Sequence, residues 1–152
     1  MACAFPEGEQ GLNVARLMCF LADLPLTVAG ATINRFCGSS MQSIAMATGA
    51  IATNSGDVFI CAGIESMTRV PMVGFNPMPN PKLYERYPEA YISMGITAEN
   101  VAKKYKISRL AQEEFSVKSH LKAVKAQKEG LLSGEIVEIG NVKEDGCIRP
   151  DI

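Results

Sequence analysis

Between Asp23 and Asp57 the chain carries a single charged residue, Arg35. The stretch from Leu26 to Ser55 reads LTVAGATINRFCGSSMQSIAMATGAIATNS. Its first part, Leu26 to Ile33, is an apolar strand. Asn34 to Gly38 is a sharp corner, and Ser39 to about Thr53 an apolar helix. A strand and helix so free of charge are expected in the middle of a fold, not on its surface.

At the corner stands Cys37, followed by Gly38, Ser39 and Ser40. A thiol at the first turn of a helix meets unpaired backbone N–H groups and the positive end of the helix dipole. Both favour a thiolate, the form that attacks carbonyls. Gly38 lets backbone approach whatever the sulfur attacks. The logic is that of the serine elbow of hydrolases. The same residues also suit a packing cysteine, because free cysteine is among the most buried residue types.

A chain of 152 residues, 47% hydrophobic and 20% charged, can bury a core. Its net charge of −1 makes no electrostatic case for nucleic acid or an anionic membrane. The densest basic run, Lys103-Lys104-Tyr105-Lys106, suits a solvated helix face. Met1 to Pro6 lacks the basic start and long apolar region of a secretory leader. No stretch reaches the ~20 apolar residues of a membrane span. Cys3, Cys19, Cys37, Cys61 and Cys147 are irregularly spaced, with neither a disulfide framework nor a metal pattern, so a reducing compartment is expected. The single histidine, His120, leaves no basis for a histidine-built metal centre.

Elsewhere, Pro6 to Gly11 is turn-like, and Leu12 to Ala22 is a helix ended by Leu24-Pro25. Val58 to Ala62 is a short buried strand. With the strand before Cys37 it is expected to form an adjacent parallel pair joined by the buried helix, a right-handed crossover. Val70 to Met94 holds five of the chain's eight prolines and reads as a long irregular excursion whose apolar residues pack on something. Thr97 is read as the N-cap of one helix, and Ser108 as the cap of a longer one running to about Lys128 and stopped by Gly130. Glu135 to Ile139 is a short strand, and Asp145-Gly146 a turn.

Asn34-Arg35-Phe36-Cys37-Gly38-Ser39-Ser40 resembles the nucleophile motif of the thiolases, the acyl-CoA C-acyltransferases. Gln10 to Arg16, Glu65-Ser66-Met67, Ser93 to Ala102 and Ile148-Arg149-Pro150-Asp151 are similar to further phrases of that family, in its order. The resemblance implies an α/β fold: residues 1–69 as part of the N-terminal half, a parallel βαβ core with a buried nucleophile helix, and residues 70–152 as part of a mostly helical loop domain that covers coenzyme A. It implies Cys37 as the acyl-accepting residue and places Met94 near the acyl pocket, where a core methionine is the other reading. His120 is read as a surface residue.

The substrates implied are acyl-CoA and coenzyme A, with no metal and no covalently bound cofactor. The partners implied are a second copy of the chain, no nucleic acid and no membrane, and the location is the cytoplasm, or a mitochondrion or peroxisome if the source is eukaryotic. Thiolase chemistry also needs a histidine base and a second cysteine, which the family carries on later Asn-Glu, Gly-His-Pro and Cys-x-Gly phrases, and none of these is read in this chain. The chain thus reads as a fragment of a 3-ketoacyl-CoA or acetoacetyl-CoA thiolase without turnover of its own. Two other readings are a ketoacyl-synthase-like condensing enzyme, which Glu65-Ser66-Met67 and Met94 to Asn100 disfavour, and a non-catalytic fragment acting through self-association.

Overall fold

In the computed structural model, which describes residues 1–144 and Gly146, the chain divides into two units, Met1–Asn80 and Pro81–Ile152. The Ile148 to Asp151 phrase and Cys147 lie outside the described residues.

The first unit is organised around Met1–Cys3. Ala2 makes parallel bridges to Ile33 on one side and to Gly63 on the other. Cys3 N–H donates to Ile33 O (3.1 Å) and Ile33 N–H to Met1 O (2.9 Å). On the other side Ala2 N–H donates to Ala62 O (2.7 Å) and Ile64 N–H to Ala2 O (2.9 Å). The segments before and after the nucleophile helix therefore run parallel, as expected, but Ala2 stands between them and they are not neighbours. Among the described residues the pairing goes no further than isolated bridges. Residues 26–32 and 58–62 are extended or turn-like, not strands.

Helix α1, Val14–Leu21, buries Val14 and Ala15 and seats itself on residues 26–32 through polar contacts. Asn13 Nδ2 donates to Gly30 O (2.8 Å), Thr32 Oγ1 to Asn13 Oδ1 (2.9 Å), and Arg16 Nη2 to Leu26 O (2.9 Å). The backbones meet at Gly30, where any Cβ would lie 2.6 Å from Arg16 N. The buried apolar residues are Ala2, Cys3, Val14, Ala15 and Val70. Val70 belongs to a return of the chain in which Phe75 N–H donates to Glu7 Oε2 (2.7 Å).

Helix α2, Ser39–Ala52, corrects the expectation of a buried nucleophile helix: its buried residues are Ser39 and Ser43, while Met41, Ile44, Met46 and Ile51 are exposed. Single bridges on each side of Ala2 build no sheet surface broad enough to cover a helix, so the apolar sides of α2 stay open among the described residues.

The second unit is helical: α3 (Pro81–Arg86), a 3-10 turn at Pro88–Tyr91, α4 (Met94–Tyr105) and α5 (Arg109–Lys128). The proline-rich excursion is thus partly helical, and the rings of Tyr84 and Tyr91 lie 6.0 Å apart. Helix α4 starts earlier than expected. Its N-cap is Ser93, whose side chain accepts from Ile96 N–H (3.3 Å), and Thr97 instead donates its hydroxyl back to Ser93 O (3.2 Å). Ser108 caps α5 by accepting from Ala111 N–H (3.2 Å). The strand expected at Glu135 to Ile139 is absent; Ile139 and Val142 close a tight turn instead, too short a return to support a ladder. Among the described residues no helix is long and apolar enough to cross a membrane.

Candidate active site

The corner before α2 is built by local hydrogen bonds. Phe36 has φ +45°, the left-handed region, which costs a bulky residue about 1–2 kcal/mol. Three contacts hold it there. Asn34 Oδ1 accepts from Phe36 N–H (2.9 Å), Ser39 Oγ donates to Phe36 O (2.5 Å), and the Phe36 ring packs at 59° on Phe5 with centroids 5.9 Å apart. Ser39 Oγ also accepts from Arg35 N–H (2.8 Å), and the Arg35 guanidinium donates to Gln42 Oε1 (2.8 Å). The single-turn 3-10 helix Phe36–Gly38 then runs straight into α2.

Cys37 is exposed on this turn. The N-cap of α2 is Gly38, which offers the first-turn N–H groups no side-chain acceptor. An accessible thiol thus sits one residue before the positive end of a fourteen-residue helix that has no side-chain cap. Close behind is Gly63, where an added Cβ would lie 2.8 Å from Ser40 Oγ, so the first turn of α2 rests directly on the segment bridged to Ala2.

Glu65-Ser66-Met67 has a structural explanation that its letters do not reveal. The Glu65 carboxylate accepts from Ala4 N–H and from Gln10 Nε2 (2.9 Å). Gln10 Nε2 also donates to Phe5 O (2.8 Å), and Gln10 Oε1 accepts from Ser66 N–H (2.7 Å). Gln10 is 2% exposed. One buried amide therefore ties three chain segments together, satisfying every group that it brings in. Burial, and then the nearby Glu65 charge, pushes the Cys3 thiol above its ordinary range.

Met94, the other expected site residue, opens α4 in the second unit and is exposed. His120 lies on α5, also in the second unit, and is half-buried. Within the first unit the structure brings Cys37 together with Phe36, Ser39 and, through Phe5, Gln10. Phe36 and Ser39 stood in the motif read from the sequence, but without these contacts, and the link from Gln10 to the corner was not read. The contact of Ser39 could have been, from a short hydroxyl two residues past the cysteine at a helix entry. One correction concerns the Cys-x-Gly phrase. Its letters do occur, at Cys61-Ala62-Gly63, with Cys61 exposed just before the Glu65 latch.

A parallel crossover with an accessible thiol at the entrance to its helix defines the class of protein. Comparison with known proteins gives the family. The family described as thiolase, N-terminal domain, matches residues 1–151. A 3-ketoacyl-CoA thiolase of Bacillus subtilis (strain 168) is 51% identical over 139 residues, covering 91% of this chain and 36% of that protein. The 3-ketoacyl-CoA thiolase of Acinetobacter baylyi (strain ATCC 33305 / BD413 / ADP1) is 43% identical over 158 residues, covering 98% of this chain and 40% of that protein. Among solved structures, the Acat5 thiolase of Ascaris suum in complex with coenzyme A superposes with a TM-score of 0.76 at 26% identity, over 95% of this chain and 41% of its own. The acetyl-CoA acetyltransferase of Syntrophomonas wolfei gives a TM-score of 0.71 at 25% identity, over 95% and 39%. The chain belongs to the thiolase family and has a thiolase-like α/β fold. It spans 36% to 40% of the length of these two curated relatives.

Proposed function

We propose that this chain carries the acyl-accepting part of a 3-ketoacyl-CoA thiolase, with Cys37 as the residue that is acylated. The observation that carries the proposal is the exposed Cys37 thiol before the positive end of α2, which has no side-chain cap, in a chain of this family. In the thiolytic direction the Cys37 thiolate adds to the 3-keto carbonyl of the substrate. The bond between the α- and β-carbons then breaks. Its electron pair goes to the α-carbon, which takes a proton and leaves as acetyl-CoA, while the shortened acyl group stays on sulfur. Coenzyme A then accepts that acyl group as its thiol loses a proton. Negative charge on Cys37 faces the positive end of the α2 dipole, while Gly38 N–H and Ser39 N–H themselves donate to Arg35 O and Phe36 O.

The protons in this sequence need a base and an acid. The chain's one histidine, His120, is on α5, and we assign it no part. This chain alone is therefore expected to take an acyl group slowly and not to turn over. We assign residues 1–69 to the nucleophile-bearing half and residues 70–152 to the lobe that covers coenzyme A, with Met94 lining the acyl pocket. No metal or covalent cofactor is invoked, and the cytoplasm is the proposed compartment. The exposed apolar residues Met41, Ile44, Met46, Val58 and Ile60 support self-association of the chain, because monomers rarely leave large apolar patches open.

Incubation with acetyl-CoA followed by peptide mass spectrometry tests the assignment. One acetyl group on Cys37, lost in Cys37→Ala, is expected, without sustained acetyl-CoA production from acetoacetyl-CoA and coenzyme A. Acylation that lands on Cys61, or that survives Cys37→Ala, refutes the role of Cys37. Sustained production that disappears in Cys37→Ala refutes the absence of turnover.

A further inference from the structure

We propose that Gln10, acting through Glu65 and Phe5, is a positioning residue for Cys37. The inference rests on the assignment of Cys37 as the acyl acceptor, and its geometry lies wholly in the first unit. Phe36, immediately before Cys37, holds a left-handed backbone that a bulky side chain does not adopt by itself (φ +45°). Backbone strain of this kind persists only where the surroundings over-determine it. Asn34 and Ser39 supply part of that restraint from within the corner. The remainder comes from outside the corner, as the Phe5 ring packed on the Phe36 ring (5.9 Å).

Phe5 in turn is fixed by the buried amide. Gln10 Nε2 donates to Phe5 O (2.8 Å) and to Glu65 Oε2 (2.9 Å), and the other Glu65 oxygen takes the N–H of neighbouring Ala4. Ser66 N–H closes the arrangement on Gln10 Oε1 (2.7 Å). With its amide nitrogen and oxygen both engaged and its side chain buried, Gln10 has one orientation only. The path from Gln10 to Phe5 to Phe36 fixes the turn that presents Cys37 to solvent ahead of α2. Without the restraint, Phe36 relaxes toward an ordinary backbone conformation and the thiol drifts from the helix end.

The test is the rate of iodoacetamide alkylation of each thiol in the intact 152-residue chain, read by peptide mapping. Cys61, exposed and in the same unit, is the internal reference, and Cys3, buried, reports any opening of the unit. In Gln10→Leu and Phe5→Ala the Cys37 rate relative to Cys61 is expected to fall about two- to fivefold, the fold-change that corresponds to loss of a helix-end interaction. Cys3 should stay protected. Phe5→Tyr keeps the ring and should restore the wild-type ratio. Where Gln10→Leu exposes Cys3, Phe5→Leu decides, because it leaves the hydrogen bonds of Gln10 in place while removing the ring. An unchanged Cys37 to Cys61 ratio in the variants that keep Cys3 protected overturns the proposal, and so does a fallen ratio that Phe5→Tyr fails to restore. Because alkylation needs no thioester, the outcome is independent of whether Cys37 takes an acyl group.

Discussion

Gly30→Ala is the substitution whose cost follows most directly from the geometry. A Cβ built at Gly30 lies 2.6 Å from Arg16 N and 2.8 Å from Ala15 C and Arg16 Cα. All three atoms are backbone of α1, so no side chain can swing aside. Carbon atoms prefer separations of ~3.5–4.0 Å, so α1 and residues 26–32 must part by roughly 1 Å. That retreat takes the Asn13 Nδ2 to Gly30 O bond, now 2.8 Å, past hydrogen-bonding range, and the Ala15 N to Thr32 Oγ1 bond, now 3.3 Å, with it. Overpacking costs about 1–3 kcal/mol. Each lost neutral hydrogen bond adds about 0.5–1.5 kcal/mol, at the low end for the exposed Asn13 bond and less so for the part-buried Ala15 bond. The reduced freedom of the unfolded chain returns about 0.4–1 kcal/mol. The net expectation is a loss of about 2–3 kcal/mol, a large part of the stability of a small unit.

Urea denaturation followed by far-UV circular dichroism measures it, with Gly49→Ala as the counterpart. Gly49 lies inside α2 with nothing within 4 Å of an added Cβ. There the better helix propensity of alanine should raise stability by about 0.8–1.0 kcal/mol. The same chemical change is thus expected to have opposite signs at the two sites. A Gly30→Ala chain at least as stable as wild type would refute the close seating of α1 on Gly30.

Three further outcomes are expected. Because burial and Glu65 raise the Cys3 thiol, the folded chain holds that proton more tightly than the unfolded chain. Stability from this source is intact below the ordinary thiol value of about 8.5 and is lost as pH rises from there through the raised folded value. Urea midpoints should fall more steeply with alkaline pH in wild type than in Cys3→Ala, and parallel slopes would count against it. Ser93→Ala and Ser108→Ala remove the caps of α4 and α5 and should each cost about 1 kcal/mol with a loss of helicity; unchanged spectra would discount the caps. Ile44→Lys, on the exposed side of α2, should leave urea stability within about 0.5 kcal/mol of wild type and reduce association in light scattering. A large loss of stability would show that Ile44 is covered.

What the sequence made legible were features with a local cause. Ser39 to Ala52 forms a helix because its residues favour one and a corner precedes it, and Ser108 with Gly130 brackets α5 because caps and glycine stops act within a turn. The start of α4 was misplaced because Ser93 and Thr97 are both hydroxyl residues one turn apart, and only the backbone at Ser93, ψ 156°, decides which is the cap. The strands were over-read for a different reason. Apolar runs such as Leu26 to Ile33 show that a segment suits a sheet, but not which segment pairs with it. Here the intervening partner is Ala2, beside a short Cys3-Ala4-Phe5 stretch that suits a strand end but does not say what it pairs with. The corner itself was legible because its cysteine, glycine and serines adjoin in sequence. The Gln10 latch was not, since Gln10 and Glu65 stand 55 residues apart and neither type signals the other.

The first unit also shows why the charge-free run was misleading about burial. Five apolar side chains form its buried set, while the apolar side of α2 is open. Area burial is non-directional and would not by itself choose one orientation for α1 or for the corner. Orientation comes from polar contacts: Asn13 and Arg16 on the carbonyls of residues 26–30, Glu65 and Gln10 on Ala4 and Phe5, and Ser39 on Phe36. Such contacts are weak singly but fix distance and angle, and a buried amide left unpartnered is penalised more heavily than a trimmed exposed side chain. Sensitivity to substitution should therefore follow the hydrogen-bonded residues around Met1–Cys3 and the corner more closely than it follows hydrophobicity. The placement of Cys37 is in this sense a property of hydrogen-bond geometry in the unit, in which the exposed apolar residues of α2 take no part.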